Sequence, residues 1–345
     1  MSEIPTTVRP LRYGRFELEL PIIEAALSGY SDAPMRRLAK RFGSPLALCE
    51  VFLDRFVVEV SKRRKSRFYL TVAEDDHPAG AQIMGSEPDE MAAAAQRLVE
   101  FGFDIIDLNF ACPVRKVLAH RRGGALMNDP IRALAIVERV RSALPDSVPL
   151  SVKLRKGFDE SPESEEKFFT LLDGLLDRSV AGITLHGRTV REAYTGTADW
   201  EFVRRVKLYL TGEKQRPDFF VIGSGDLFSA VTAQKRLAES GVDGLALARG
   251  IIGNPWLFRE IEAVLRGRPL PFPPSLSEQK EVILDHWRSA EALYGPKRTV
   301  MIMRKFLIRY AVRHPEAETL KRLFATFRTP AELEEILKKY DSTPQ

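Results

Sequence analysis

The chain has 345 residues, 44% of them apolar, and 52 basic against 47 acidic side chains give it a net charge of +5 and a pI near 9.1. That length buries more core than one small domain needs, so one large domain with an appendage is expected. No stretch approaches a membrane span, and Met1–Leu20 holds no apolar run long enough for a secretory leader. The two cysteines, Cys49 and Cys112, lack a CxxC partner or a nearby histidine at ligand spacing, so neither a disulfide framework nor a metal site is expected. A soluble, cytoplasmic protein without an obligate protein partner fits this profile.

Short apolar, β-branched runs alternate with helical periodicity from about Leu18 to Leu265. The strands predicted in chain order are Pro21–Ala26, Leu46–Val51, Ala79–Met84, Ile105–Asn109, Leu150–Leu154, Gly182–His186, Phe219–Gly223 and Gly244–Ala248. Each precedes an amphipathic segment. Examples are Ala33–Arg41, Glu87–Phe101 opening at Ser86, and Ile131–Leu144 opening at Asp129-Pro130, where an acceptor side chain and a proline define the first turn. Eight consecutive βα units with helical crossovers specify an α/β fold, a (β/α)8 TIM barrel of parallel strands. A doubly wound open sheet is the alternative, but no Gly-rich dinucleotide fingerprint follows the first strand.

The barrel pattern ends at a proline-rich stretch, Arg268–Pro274, that reads as a linker. The chain therefore divides into residues 1–267, the barrel, and 275–345, a small all-α domain with helices at Leu276–Gly295, Arg298–Arg313, Ala317–Ala325 and Pro330–Tyr340. Between Arg288 and Arg328 ten basic residues stand against three acidic ones, a net of +7 that exceeds the +5 of the whole chain. Such a surface suits a phosphate backbone, although a merely solvated basic face has the same composition. Arg304, Lys305 and Arg309 are the expected contacts.

In such barrels chemistry gathers at strand C-termini and the loops beyond them. The fourth strand runs into Asn109-Phe-Ala-Cys112-Pro113 and a basic loop with Gly123 and Gly124, a setting for a thiol proton donor, while Cys49 reads as a small buried hydrophobe. Alternation in Ser151-Val-Lys153-Leu-Arg155 aims Lys153 at the barrel mouth, where its ammonium either neutralises a reduced flavin or forms a Schiff base. Gln82, His186 and Arg188 add an amide, an imidazole and a guanidinium at neighbouring strand ends. Gly223-Ser-Gly-Asp226 and Ala248-Arg249-Gly250 occupy the loops where barrels of this kind cradle a phosphate.

These residues carry a resemblance. Asn109-Phe-Ala-Cys112-Pro-Val-Arg-Lys-Val117 with Gly124–Pro130 behind it, together with Gln82, Val152-Lys153, His186–Thr189, Gly196–Trp200, Gly223–Asp226 and Arg249–Phe258, resembles the bacterial tRNA-dihydrouridine synthases, most of all their B branch. The resemblance implies FMN bound across the barrel mouth, NADPH as reductant, tRNA as partner, and hydride delivery to C6 of a uracil with Cys112 giving the proton to C5. It places Asn109 and Arg188 near the substrate and assigns the flavin to Ala26, Leu27, Ser28, Gln82, Lys153, His186, Ser224, Gly225, Asp226, Ala248 and Arg249. The sequence departs from the family pattern at Ala25–Asp32, at Ala111 and at Ser224.

Three rival readings remain at this level. An FMN barrel acting on a free pyrimidine, of the dihydroorotate dehydrogenase kind, has no use for the basic tail. A Schiff-base aldolase would be colourless, and a non-catalytic RNA-binding module would not need Cys112.

Overall fold

A computed structural model describes residues 8–61 and 70–341. Residues 1–7 and 342–345, the outer ends of the two expected segments, lie outside the described residues. The chain opens on an antiparallel hairpin, β1 (Leu11–Tyr13) and β2 (Phe16–Leu18). There follow β3 (Ile22–Glu24), α1 (Ala33–Arg41), β4 (Ala47–Leu53), α2 (Asp54–Ser61), β5 (Ala79–Met84), α3 (Pro88–Glu100), β6 (Ile105–Asn109), α4 (Arg115–Ala119), α5 (Pro130–Ala143), β7 (Leu150–Arg155), α6 (Pro162–Leu176), β8 (Gly182–His186), α7 (Trp200–Leu208), β9 (Phe220–Ser224), α8 (Ala230–Ser240), β10 (Gly244–Leu247) and α9 (Leu257–Leu265). Strands β3 to β10 pair in parallel and in sequence, and β10 returns to β3, closing the barrel. The (β/α)8 expectation is met, and three of the eight strands fall on their predicted bounds.

Local chemistry explains where helices begin. Asp32 accepts from the Met35 N–H at 3.0 Å and Asp129 from Arg132 N–H at 3.1 Å, each just before a proline in the first turn. Ser86, predicted to open the third helix, does not cap it. Glu87 takes that position and Pro88 starts the helix, which leaves Ser86 one residue too early to reach the orphan amides.

The hairpin was absent from the sequence reading, because three-residue strands are too short to display a period. It joins the apolar packing inside the barrel: Leu11, Tyr13 and Leu18 cluster with Ile23, Leu48, Ile105, Phe220 and Ile222. The Tyr13 ring sits 4.4 Å from that of Phe220. Turning at Gly14 (φ +58), the hairpin packs so tightly that an added Cβ would lie 2.5 Å from Pro149.

A larger apolar layer lies between the strands and the outer helices. It continues without interruption into the tail, whose helices are α10 (Leu276–Tyr294), α11 (Pro296–Tyr310), α12 (Ala317–Thr326) and α13 (Pro330–Lys338). Trp256 from the barrel and Trp287, Phe306 and Phe324 from the tail belong to one packed cluster. The Arg268–Pro274 stretch carries neither helix nor strand, as expected of a linker. Among the described residues no helix is long and apolar enough to cross a membrane.

Candidate active site

Strand register layers the polar residues of the barrel interior. Asn109, Lys153 and Thr184 sit side by side on β6, β7 and β8, and one layer nearer the mouth Arg155, His186 and Ser224 do the same on β7, β8 and β9. Above them opens a cavity of about 370 Å3. Its walls include Ala26, Leu27, Ser28, Asn109, Cys112, Lys153, His186, Ser224, Gly225, Asp226, Ala248 and Arg249. Twelve of the fourteen expected site residues therefore meet around one space.

The two others lie behind the wall. Gln82 is fully buried; its amide donates to Asp107 Oδ2 at 2.5 Å and accepts from Asn109 Nδ2 at 2.6 Å. Arg188, also buried, grips both oxygens of Asp226 at 3.0 and 2.7 Å and donates to the carbonyls of Thr195 and Gly196. Each supports a residue that lines the cavity. Burial works against an ionised Asp226, yet Arg188 and the Ala198 N–H, with Arg249 nearby, hold its carboxyl below the ordinary range.

Gln82 belongs to a chain of hydrogen bonds that crosses the barrel interior. Tyr13 Oη lies 2.6 Å from Ser151 Oγ, Ser151 donates to Asp107 Oδ1 at 2.5 Å, Gln82 donates to Asp107 Oδ2, and Asn109 donates to Gln82. Since a carboxylate only accepts and a hydroxyl has one proton, Tyr13 must donate to Ser151, and both arms point toward Asp107. Burial raises the Asp107 carboxyl, while Ser151, Gln82 and the charge of Lys153 pull it back down. The far end of this network fixes the backbone that carries Cys112: Asn109 Oδ1 accepts from the N–H groups of Ala111 and Cys112, each at 3.0 Å.

Two further contacts pin the same loop. Arg155 Nε donates to the Ala111 carbonyl at 2.8 Å, and the Gly124 N–H donates to the Cys112 carbonyl at 3.0 Å. Gly123 (φ +56) packs so close to Cys112 that a Cβ there would lie 2.9 Å from that of Cys112. Cys49, by contrast, is buried in the apolar layer, and burial pushes its thiol up to about 12.

Burial dominates the basic groups. It lowers Lys153, with help from Arg155 and against the pull of Asp107 and Cys112, to about 8. His186 is pushed to about 2 by burial and by Lys153, Arg155, Arg188 and Arg249, so its imidazole is neutral, and its Nδ1 is buried without a protein partner. Arg249 stands at the rim with the rings of Tyr194 and Phe228 at 5.5 and 5.4 Å.

The sequence model of the family described as "Dihydrouridine synthase (Dus)" matches residues 23–343. The chain belongs to the dihydrouridine synthase family. It is an oxidoreductase. Similar proteins include a probable tRNA-dihydrouridine synthase of Rickettsia conorii, 32% identical over 96% of this chain and 96% of that protein. Another is the tRNA-dihydrouridine synthase B of Pseudomonas aeruginosa, 33% identical over 91% of this chain and 90% of the other. Among solved structures, morphinone reductase in complex with tetrahydroNAD shares the fold, with a TM-score of 0.52 and 17% identity over 77% of this chain and 92% of that one.

In this dihydrouridine synthase family member the cavity is also lined by Arg155 and Tyr194, which the sequence did not single out, and by Arg309, which was expected on the RNA face alone. Arg155 was findable, since it lies two residues beyond Lys153 on the same strand face. Tyr194 sits in an irregular loop and Arg309 on a tail helix, and only folding brings either to the mouth.

Replacing Gln82 with Leu strands Asp107 Oδ2 and Asn109 Nδ2 in the interior. A loss of about 1–3 kcal/mol is expected from urea unfolding, and an unchanged midpoint would mean that the interior chain of hydrogen bonds is not formed in solution.

Proposed function

We propose that this chain is a tRNA-dihydrouridine synthase that uses FMN, reduced by NADPH, to saturate the C5–C6 bond of a uridine in tRNA. The observation that carries the reading is the thiol of Cys112, fixed by its loop at the wall of a cavity that also presents Lys153. The printed names of the relatives from Rickettsia conorii and Pseudomonas aeruginosa support tRNA as the substrate. On this reading residues 1–267 do the chemistry and residues 275–345 engage RNA.

The residues present fit the cofactor. A space of about 370 Å3 lies in the range of small-molecule sites. Ala26, Leu27 and Ala248 provide apolar wall, Lys153 a cation for the electron-rich edge of the ring, and His186 Nδ1 an orphaned polar atom awaiting a partner. Gly225 adopts φ +128, a conformation side chains rarely take, and it lines the cavity together with Arg249, a bare backbone and a cation suited to a phosphate.

Bound FMN would supply to C6 the hydride it receives from NADPH. Negative charge then develops at C5, and Cys112 transfers its proton there, leaving a thiolate whose charge Lys153 and Arg155 both feel. Asn109 spends one of its two amide protons on Gln82, so the second remains for a uracil oxygen. The rim rings of Tyr194 and Phe228 offer apolar faces to a nucleotide outside the cavity. A Schiff base at Lys153 would require a carbonyl substrate, and neither the thiol nor the basic tail serves one.

The basic tail divides by role. Arg304 is committed to the Phe327 carbonyl and Lys305 to the Gly29 carbonyl, whereas Arg309 is exposed and lines the cavity mouth. Of the three expected RNA contacts, Arg309 is the one whose charge is presented outward.

Three outcomes test the reading. A Cys112→Ala variant should stay yellow and bind tRNA with wild-type affinity while losing at least 99% of dihydrouridine formation, about a hundredfold as befits a removed general acid; retained turnover would exclude the thiol as donor. Because Lys153 loses its proton as pH rises through about 8, bleaching of the flavin by NADPH should slow at and above that pH, and Lys153→Arg should remove the decline. Arg309→Glu should weaken tRNA binding and reduce the slope of log K against log salt by about one, and an unaltered slope would place the RNA elsewhere.

A further inference from the structure

The loop after β3 departs from the family pattern and lines the cavity through Ala25, Ala26, Leu27, Ser28 and Tyr30. Part of its hold is internal: Ser31 Oγ accepts from the Leu27 N–H at 3.0 Å and donates to the Ala25 carbonyl at 2.9 Å, and Glu50 accepts from the Gly29 N–H at 3.0 Å. Backbone bonds to β10 and β4 add to this, from Ala25 N–H to the Leu247 carbonyl and from Glu50 N–H to the Ser31 carbonyl, and further contacts come from the helical tail, more than 260 residues along the chain.

Lys305 on α11 donates to the Gly29 carbonyl. Its ammonium lies 4.9 Å from the Tyr30 ring and 5.2 Å from that of Phe306, and those two rings meet edge to face at 5.3 Å. Tyr294 on α10 donates to Asp32 Oδ2 at 2.8 Å, the other oxygen of the carboxyl that caps α1. The loop after β10 leans on the same helix: at Gly253 (φ +71) a Cβ would lie 2.5 Å from the backbone of Arg309 and Tyr310. Two loops that flank the cavity are thus seated against one tail helix.

We propose that the helical tail is part of the cofactor pocket, with Lys305 and Tyr294 as positioning residues that hold the loop after β3 in the shape that receives the flavin. The inference rests on the FMN reading above and extends it, because a segment assigned to RNA then also sets cofactor affinity. The grip adds to the local bonds of a loop that lacks the family's usual residues a charge-assisted hydrogen bond and an aromatic contact from the tail. It also reassigns Lys305 from the RNA face to the interior of the molecule.

The test uses the full-length protein stripped of flavin and titrated with FMN, following the quenching of flavin fluorescence, with tRNA affinity measured separately at saturating FMN. Lys305→Met and Tyr294→Phe should each raise the FMN dissociation constant, Lys305→Met by about tenfold or more, the worth of a hydrogen bond from a charged donor. The tRNA dissociation constant should stay within about twofold of wild type, and Lys305→Arg should recover part of the flavin affinity. Tyr294→Phe removes a single hydroxyl and so keeps the test available if the lysine variant fails to fold. Unchanged FMN affinity in both variants overturns the proposal, and weakened tRNA binding with unchanged FMN affinity returns Lys305 to the RNA face. A wild-type protein that binds no FMN overturns the underlying reading and this inference with it, an outcome distinct from the other two.

Discussion

Asp107 places a carboxyl group inside a closed cylinder of strands, where water cannot reach it and where an unpartnered charge would be prohibitively costly. Its two oxygens are satisfied from opposite directions, by Ser151 on one side and Gln82 on the other. The first arm runs down to Tyr13 in the hairpin that stops the bottom of the barrel, and the second runs up through Asn109 to the amides of Ala111 and Cys112. Both oxygens of the carboxyl are thus paired, and the bonds that pair them link the hairpin to the loop after β6. The loop that carries Cys112 is thereby tied to the interior of the barrel.

The same economy runs through the rim. Arg188 and Arg155 carry charge yet spend it on structure: one clamps Asp226 and the carbonyls of Thr195 and Gly196, the other ties Ala111 to Thr189 and Ala193. Tyr194 belongs to the loop these contacts hold, with Arg155 and Arg249 beside its ring. Burial first, and then the positive charges of Lys153 and the guanidinium groups, keep His186 neutral, while burial and then Arg155 depress Lys153. A cavity lined by a neutral imidazole, a titratable lysine and Cys112 is suited to a ligand that gains negative charge during reaction.

Barrel and tail share a single apolar layer, and the proline stretch that joins them is largely exposed. Ion pairing and hydrogen bonding follow the same seam. Arg41 meets Asp285, Trp256 donates to Glu278, and Tyr294 reaches Asp32. Helix α11 faces both ways, sending Lys305 inward to a barrel loop and Arg309 outward at the cavity mouth.

What was legible in the sequence was whatever local period and local chemistry encode. Parallel strands buried on both faces read as short apolar runs, the caps at Asp32 and Asp129 announced their helices, and side-chain alternation alone aimed Lys153 into the barrel. The strand-end motifs likewise named most of the residues that meet around the cavity, because a barrel sends every strand C-terminus to one face. Which of those residues touch the cavity and which stand behind it was not encoded that way. Gln82 and Arg188 look like any other polar strand-end residue until Asp107 and Asp226 are folded against them. Lys305 looks like Arg309 until Gly29 arrives from the far end of the chain. Sequence by itself determined the barrel, the tail and the thiol; tertiary structure alone decided the partners of each polar group, since hydrogen bonds and ion pairs between distant segments depend on positions that no local pattern specifies.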